Sequence, residues 1–196
     1  MKKIFSILFV MLVGFGSNLI AEDIKSIKRI SVGEKNAKIT IIAYESLTCG
    51  HCADFHESVY PSLKKDFIDK GLVRIEFRHF PLDIAAFNAS KIGQCNNDGN
   101  ANVLNILFYG QKKWAKGKTP EEATKYLKNF LEDEGVTLDF EKCLADKAVE
   151  DYVLNDRIEG VKKYKVNATP TIIINDKKFE KTLNYKNIKK YLEKLI

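Results

Sequence analysis

The chain has little of what marks the more specialised protein classes. Its 196 residues include four cysteines, four prolines, two methionines and one tryptophan. Four cysteines are too few to frame a disulfide-built mini-protein, and with 45% hydrophobic residues the chain can bury a core without such a frame. Blocks of like charge are missing. The 32 Lys and Arg are interleaved with 26 Asp and Glu, leaving a formal net charge of +6 spread along the whole length, as on an ordinary solvated surface. A specific nucleic-acid partner is therefore not expected. Internal repeats and low-complexity linkers are also missing, so one or two globular domains are expected.

No apolar run reaches the roughly 20 residues needed to span a bilayer. One near the N-terminus, Ile4 to Phe15, is broken only by Ser6 and Gly14. It follows Met1-Lys2-Lys3 and precedes the small and polar stretch Gly16-Ser17-Asn18-Leu19-Ile20-Ala21. This is the layout of a secretory signal peptide, expected to span 1–21 with cleavage after Ala21, although Leu19 is larger than the usual residue two positions before a cleavage site. No cysteine lies there to carry a lipid anchor. All four cysteines fall in the exported part, where disulfides persist.

Lys38 to Ser46 (KITIIAYES) is a short, β-branched, nearly continuous apolar run, the pattern of a central strand covered on both faces. Directly after it, Leu47-Thr48-Cys49-Gly50-His51-Cys52 opens a helix in which Cys52, Phe55, Val59, Leu63 and Phe67 recur every three or four residues. Pro61 is expected to kink this helix and Gly71 to stop it. Val73, Ile75 and Phe77 alternate with Arg74, Glu76 and Arg78 in a second strand that Pro81 ends. Strand, helix and strand make a βαβ unit if the strands are parallel.

From Leu82 to about Val166 no strand pattern occurs. Helices are expected from Ala85 to Gln94 and from Val103 to Trp114, separated by the Asn96-Asn97-Asp98-Gly99 turn. A third is capped by Thr119, with Pro120 and Glu122 in its first turn, Ala123, Leu127, Phe130 and Leu131 as its apolar face, and Gly135 as its stop. A fourth is capped by Asp146 and bears Val149, Val153, Gly160, Val161 and Tyr164 on one side. Thr171 to Ile174 (TIII) then reads as a third buried strand and Asn175 to Lys178 as a turn. Phe179 begins a short fourth strand, and Ile188, Tyr191, Leu192 and Leu195 form the inner face of a last helix. The expected class is α/β, interrupted by a helical stretch.

Cys49-Gly50-His51-Cys52 sits where a buried strand hands over to a helix. Unpaired backbone N–H groups and the positive end of the helix dipole favour an anionic sulfur there. Cys49, the more exposed, is expected to be the reactive thiolate, its pKa pulled from near 8.5 to about 3.5 to 5.5, and Cys52 the buried resolving thiol. His51 can add positive charge or a donor, and Gly50 leaves the backbone accessible. A low thiolate pKa stabilises the reduced form and makes the disulfide oxidising. A c-type haem would need His directly after Cys52, where Ala53 stands. Zinc would need further ligands, but there is no second CxxC and both His51 and His56 leave the helix at other angles. Redox chemistry is the favoured reading, with no cofactor and no metal.

The export segment, the ITIIAYESLTCGHC junction, the helical insertion and Ala168-Thr169-Pro170-Thr171 ahead of a final hairpin together resemble the thioredoxin-fold thiol-disulfide oxidoreductases of the DsbA type. The resemblance runs from about Lys38 to Ile196. It implies a thioredoxin fold formed by 22–81 and 167–196, with a helical domain, 82–166, inserted between its βαβ and ββα halves. It also implies that Pro170 is cis and faces the cysteine pair, leaving the Thr169 backbone to dock an extended substrate. Many thioredoxin-fold enzymes carry a buried acid six residues before the first cysteine, and Ala43 stands there. Glu45 and Glu57 are the acids near enough to substitute, plain surface placement being the alternative. Gly-His between the cysteines looks more like protein disulfide isomerase than DsbA, which leaves oxidase against isomerase open.

Cys95 and Cys143 fall in the helical insertion. An even leftover pair in an exported protein suggests a structural disulfide, with two buried free thiols as the alternative. A bond would close a loop worth roughly 4 kcal/mol in the chain-entropy account. The leading expectation is a monomeric periplasmic dithiol oxidase acting on reduced, unfolded exported proteins, reoxidised by a membrane partner of the DsbB type as the resemblance implies. A disulfide isomerase or reductase with the same site, and a non-catalytic chaperone-like or metal-handling module, are the alternatives.

Overall fold

A computed structural model describes residues 27–96 and 98–196; the expected signal segment 1–21 lies outside the described residues. The run from Lys38 to Ser46 forms a strand, β2 (Ile39–Glu45), in which every side chain except Thr40 is buried. Burial on both sides follows from its place at the centre of a five-stranded sheet of order β1-β3-β2-β4-β5. β3 (Val73–His79) alternates buried and half-buried residues as its sequence does, and runs parallel to β2 with Ile39 opposite Val73 and Glu45 opposite His79. β4 (Thr171–Ile174) lies antiparallel on the other side of β2. β1 (Ser31–Val32), which was not expected, pairs antiparallel with the outer edge of β3.

The final hairpin is tighter than its sequence suggests. Asn175 and Asp176 alone make the turn, with φ of 46° and 62°, and β5 is Lys177–Lys178 rather than a strand starting at Phe179. Two consecutive positive φ values match the twist of the flanking strands, and Asn and Asp tolerate them best after glycine.

The β2 to β3 connection is helical. It consists of α1 (Gly50–Ser58), α2 (Tyr60–Leu63) and one π-helical turn, Lys64–Ile68. Pro61 falls in the first turn of α2, where its missing N–H leaves no bond unmade, so the expected kink becomes a break at Val59. Between β3 and β4 stand α3 (Ile84–Cys95), α4 (Asn102–Tyr109), α5 (Gln111–Trp114), α6 (Pro120–Asp133), α7 (Phe140–Ala145) and α8 (Lys147–Tyr164). α9 (Tyr185–Leu192) ends the described secondary structure. The caps fall where expected: Thr119 Oγ1 accepts from Glu122 N, and Asp146 Oδ1 from Val149 N. α7 was not expected, because six residues are too few to print a helical period. Among the described residues no helix is long and apolar enough to cross a membrane.

The two faces of the sheet are packed by different means. Ile39, Ile41, Ala43 and Ile75 join Leu63, Phe67, Ile188 and Leu192 in the larger core, which continues into the insertion through Phe108, Trp114 and Phe130. On the opposite face Ile42, Tyr44 and Ile173 meet Tyr164 and Phe80. Gly160 of α8 admits the Tyr44 ring, since a Cβ there would lie 2.7 Å from Tyr44 Cε1. Val161 does not share that face, being 46% exposed, and the inner stripe uses Tyr152 and Asp156 instead. Cys95 and Cys143 are bonded, joining α3 to α7 across a sequence separation of 48.

The helix expected from Val103 to Trp114 is split at Gly110, whose absent Cβ would lie 1.9 Å from Cζ of the buried Phe130 ring. Gly110→Ala is therefore expected to cost about 1–3 kcal/mol through forced repacking, whereas Gly50→Ala, whose Cβ meets nothing within 4 Å, should stay within about 0.5 kcal/mol. Urea unfolding measures both. The same experiment on the oxidised Cys95→Ala, Cys143→Ala double variant is expected to show a loss of up to about 4 kcal/mol.

Candidate active site

The site grows from the C-terminal end of β2. Cys49 adopts extended geometry, φ −79° and ψ 117°, immediately before α1, and its carbonyl accepts from Cys52 N at 3.1 Å and Ala53 N at 3.2 Å. Its sulfur sits at the helix start without forming an ordinary side-chain cap. The helical insertion holds the approach to it. Gln111, buried, donates from Nε2 to the carbonyls of Leu47 at 2.8 Å and Cys49 at 3.0 Å. Thr48 Oγ1 donates to Asp83 Oδ2 at 2.7 Å, while the other oxygen of Asp83 caps α3 at Ala86 N. Neither Gln111 nor Asp83 stood out in the sequence, because each acts across a long separation on backbone or on a neighbour's cap.

Cys49 and Cys52 are both free thiols, the first half-buried and the second with no exposed surface. The Thr169–Pro170 peptide bond is cis, and the Thr169 carbonyl accepts from the Cys49 thiol at 3.3 Å. The structure thus brings together four residues that the sequence keeps about 120 positions apart. Beside them opens a groove of about 410 Å³, lined by His51, Phe55, Val59, Thr169, Pro170 and Tyr185 among others. Gly50 is exposed, with open space where a Cβ would be. The His51 imidazole does not turn to the sulfur. It is 87% exposed, with Nδ1 3.5 Å from Asp54, and residue 51 reaches Cys49 only through its backbone N–H.

The two sulfurs are driven apart in acidity. Interaction with the Cys52 thiol, joined by the nearby Thr169 and the backbone N–H groups of Cys52 and His51, outweighs burial and pulls the Cys49 pKa down to about 5. Burial pushes Cys52 far up, helped by its bond to Cys49 and by the nearby charges of Glu45 and Cys49. One sulfur is therefore an anion at neutral pH and the other a thiol, which is the asymmetry that nucleophilic attack followed by resolution requires.

Glu45 is not a surface acid. It is 4% exposed and bonds through Oε2 to His56 Nε2 at 3.0 Å, whereas Glu57 does lie on the surface. His56 has no exposed surface and shares the buried face of α1 with Cys52, one turn earlier, rather than leaving at another angle. Both placements follow from spacing: Glu45 keeps the parity of Ile39, Ile41 and Ala43 in β2, and His56 stands four residues after Cys52. Burial raises the Glu45 pKa, His56 opposes that, and the Cys49 charge adds to it. Among the described residues no three or more His, Cys, Asp or Glu side chains gather as metal ligands.

Known proteins resemble this chain. The family model described as Thioredoxin matches residues 25–194. A Rickettsia bellii protein whose name places it among protein-disulfide oxidoreductases is 29% identical over 147 residues, 74% of this chain but only 56% of its own length. The chain thus spans little more than half of that relative. Disulfide bond formation protein D of Bacillus subtilis is 27% identical over 176 residues, covering 83% of this chain and 75% of its own. The crystal structure of Wolbachia pipientis α-DsbA1 superposes with a TM-score of 0.75 at 28% identity, over 85% of this chain and 90% of that one. With the helical insertion between the two halves of its sheet, which resembles that DsbA structure, and a model match over nearly its whole length, the chain belongs to the thioredoxin family.

Proposed function

We propose that the protein is a periplasmic oxidant that introduces disulfides into reduced exported polypeptides. The observation that carries this reading is the split between a Cys49 thiol pulled down to about 5 and a buried Cys52 pushed up. A stabilised thiolate favours the reduced enzyme, so its disulfide passes readily to substrate. A substrate thiolate attacks Cys49 Sγ of the enzyme disulfide and expels Cys52, giving a mixed disulfide. A second substrate thiolate then attacks the substrate sulfur of that bond, releasing the oxidised substrate and the Cys49 thiolate. Two electrons pass from substrate to enzyme. The groove beside His51, Phe55 and Pro170 offers an apolar wall, and the Thr169 backbone an edge, for an extended chain of little fixed sequence.

Reoxidation would fall to a membrane quinone reductase of the DsbB type, and the signal segment would be removed after residue 21 to leave a monomer. The Cys49 anion also bears on stability. Its folded-state pKa lies below the ordinary thiol value of 9.0, so its contribution to the dithiol form is complete above about pH 9. That contribution shrinks as pH falls and is lost below about pH 5.

Three measurements test the reading. Refolding of a reduced multi-cysteine substrate by the oxidised protein is expected to succeed, to stop in Cys49→Ala, and to leave a trapped mixed disulfide on Cys49 in Cys52→Ala treated with an activated substrate. A strongly reducing potential with no refolding activity overturns it. The ultraviolet absorbance of the thiolate is expected to titrate near pH 5, and the stability gap between reduced parent and Cys49→Ala to close as pH is lowered from about 9 to about 4.

A further inference from the structure

The outer face of α8 is apolar where a solvated helix is expected to be polar. Among the described residues eight large apolar side chains are exposed, and five of them belong to one side of the molecule. They are Leu154, Ile158 and Val161 on α8 and Leu82 and Ile84 at the entry to α3, each between 39% and 58% exposed. The spacing of the first three puts them on one line along the helix. Leu82 and Ile84 meet Leu154 around a cleft of about 220 Å³ that Phe87 and Arg157 also line. Apolar residues scattered singly over a surface are ordinary, whereas a contiguous patch marks a contact surface.

The border of the patch is basic. Arg157, Lys162 and Lys165 flank the apolar line, all three exposed. Arg157 donates to the Pro81 carbonyl and lies over the Phe80 ring, and Lys165 donates to the Lys162 carbonyl, so neither charge is met by a carboxylate. The acids nearby are already bonded: Glu150 to Lys91 and Lys147, Asp151 to Lys147, Glu159 to Arg78, and Asp83 to Thr48 and the first turn of α3.

We propose that this face rests on an anionic phospholipid bilayer. Aliphatic side chains between Lys and Arg on one helix face suit a bilayer interface, since the apolar ends enter the headgroup boundary while the long cations reach the phosphates. An extended polypeptide is a poorer fit: helices expose no row of backbone groups for it to pair with, and the cleft has about half the volume of the groove beside Cys49. The chain also enters the fold along α8, where Arg29 pairs with Asp156 and lies over Tyr152 at 4.8 Å. The apolar run Ile4 to Phe15 precedes that anchor, so a bilayer holding the run has α8 on a short tether.

The patch is tied to the reacting cysteine as well. Phe80 N donates to the Glu45 carbonyl at 2.7 Å, and Leu82 N donates to Ser46 Oγ at 3.3 Å, so the segment bearing Leu82 lies along the strand end that leads to Cys49. A molecule resting on Leu82 and Ile84 keeps Cys49 close to the membrane, where an oxidant lodged in the bilayer would meet it. That consequence rests on the thiol-disulfide reading above; the lipid contact itself does not.

Cosedimentation of the exported protein with lipid vesicles tests the contact. Phosphatidylcholine vesicles carrying about one third phosphatidylglycerol are expected to bind it at least about tenfold more tightly than phosphatidylcholine alone, and to lose that advantage near about 0.5 M salt. Ile158→Glu is expected to weaken binding to the anionic vesicles at least about tenfold, and Lys162→Glu about fivefold. Lys190→Glu makes the same charge change on α9, which packs on the other face of the sheet, and is expected to leave binding within about twofold of the parent. Leu154→Gln repeats the apolar test where Ile158→Glu does not fold. A parent that ignores anionic vesicles overturns the proposal, as does a folded Ile158→Glu that binds them like the parent. A loss in Lys190→Glu as large as in Lys162→Glu also overturns it, because binding then follows net charge and not this face. Without lipid, Ile158→Glu is expected to refold a reduced multi-cysteine substrate at the parent's rate; a slower rate gives the patch to polypeptide and overturns the bilayer. A parent with no refolding activity overturns the thiol-disulfide reading, and the vesicle result then still decides the lipid contact.

Discussion

A negative charge on a half-buried sulfur is the constraint around which this molecule is arranged. Cys49 carries that charge only because a helix begins on it, pointing the N–H groups of His51 and Cys52 at the sulfur, and because the Cys52 thiol is held within reach. The helix begins there because β2 ends at Glu45 in the middle of the sheet, buried on both faces and locked in register with β3 and β4. The same strand, through its pairing with β4, brings Thr169 and Pro170 against the sulfur from far along the chain.

The helical insertion does more than cover the sheet. Gln111 fixes the carbonyls of Leu47 and Cys49, and Asp83 ties Thr48 to the cap of α3, so the loop that sets the direction of α1 is held from outside the sheet. The Cys95–Cys143 bond and the buried Trp114, whose indole N–H donates to Leu107, stiffen the body from which Gln111 projects. Precision at the sulfur is thus supplied by an element that carries none of the reacting atoms.

Beneath the sulfurs the protein keeps the Glu45 carboxyl and the His56 imidazole buried among aromatic rings. Charge buried at this depth acts on everything near it, since little screens it. Glu45 and Cys49 both hold Cys52 protonated, and Cys49 in turn holds up Glu45, so the three acids cannot ionise independently. Chemistry at one sulfur is therefore felt at the other and at the acid below.

The buried runs KITIIAYES and TIII, the alternation of Val73 to Phe77, the Thr119 and Asp146 caps and the CxxC at a strand-to-helix junction were legible from spacing alone, because local periodicity and cap chemistry are written within one turn or one strand. The two-residue strands β1 and β5 and the short α7 were not, since so few residues carry no period. Nor were the exposure of Val161 and the split at Gly110, which depend on which neighbour packs where. Glu45 and His56 show the boundary most clearly. Their parity and spacing place them inward, but an acid and a histidine read in isolation suit the surface equally well. By itself the sequence determined an α/β chain with a cysteine pair at a helix start. Only the tertiary structure decided that one sulfur faces Thr169 and the groove while the other is buried close to Glu45 and His56, because burial and Coulomb interaction depend on distances that no linear spacing contains.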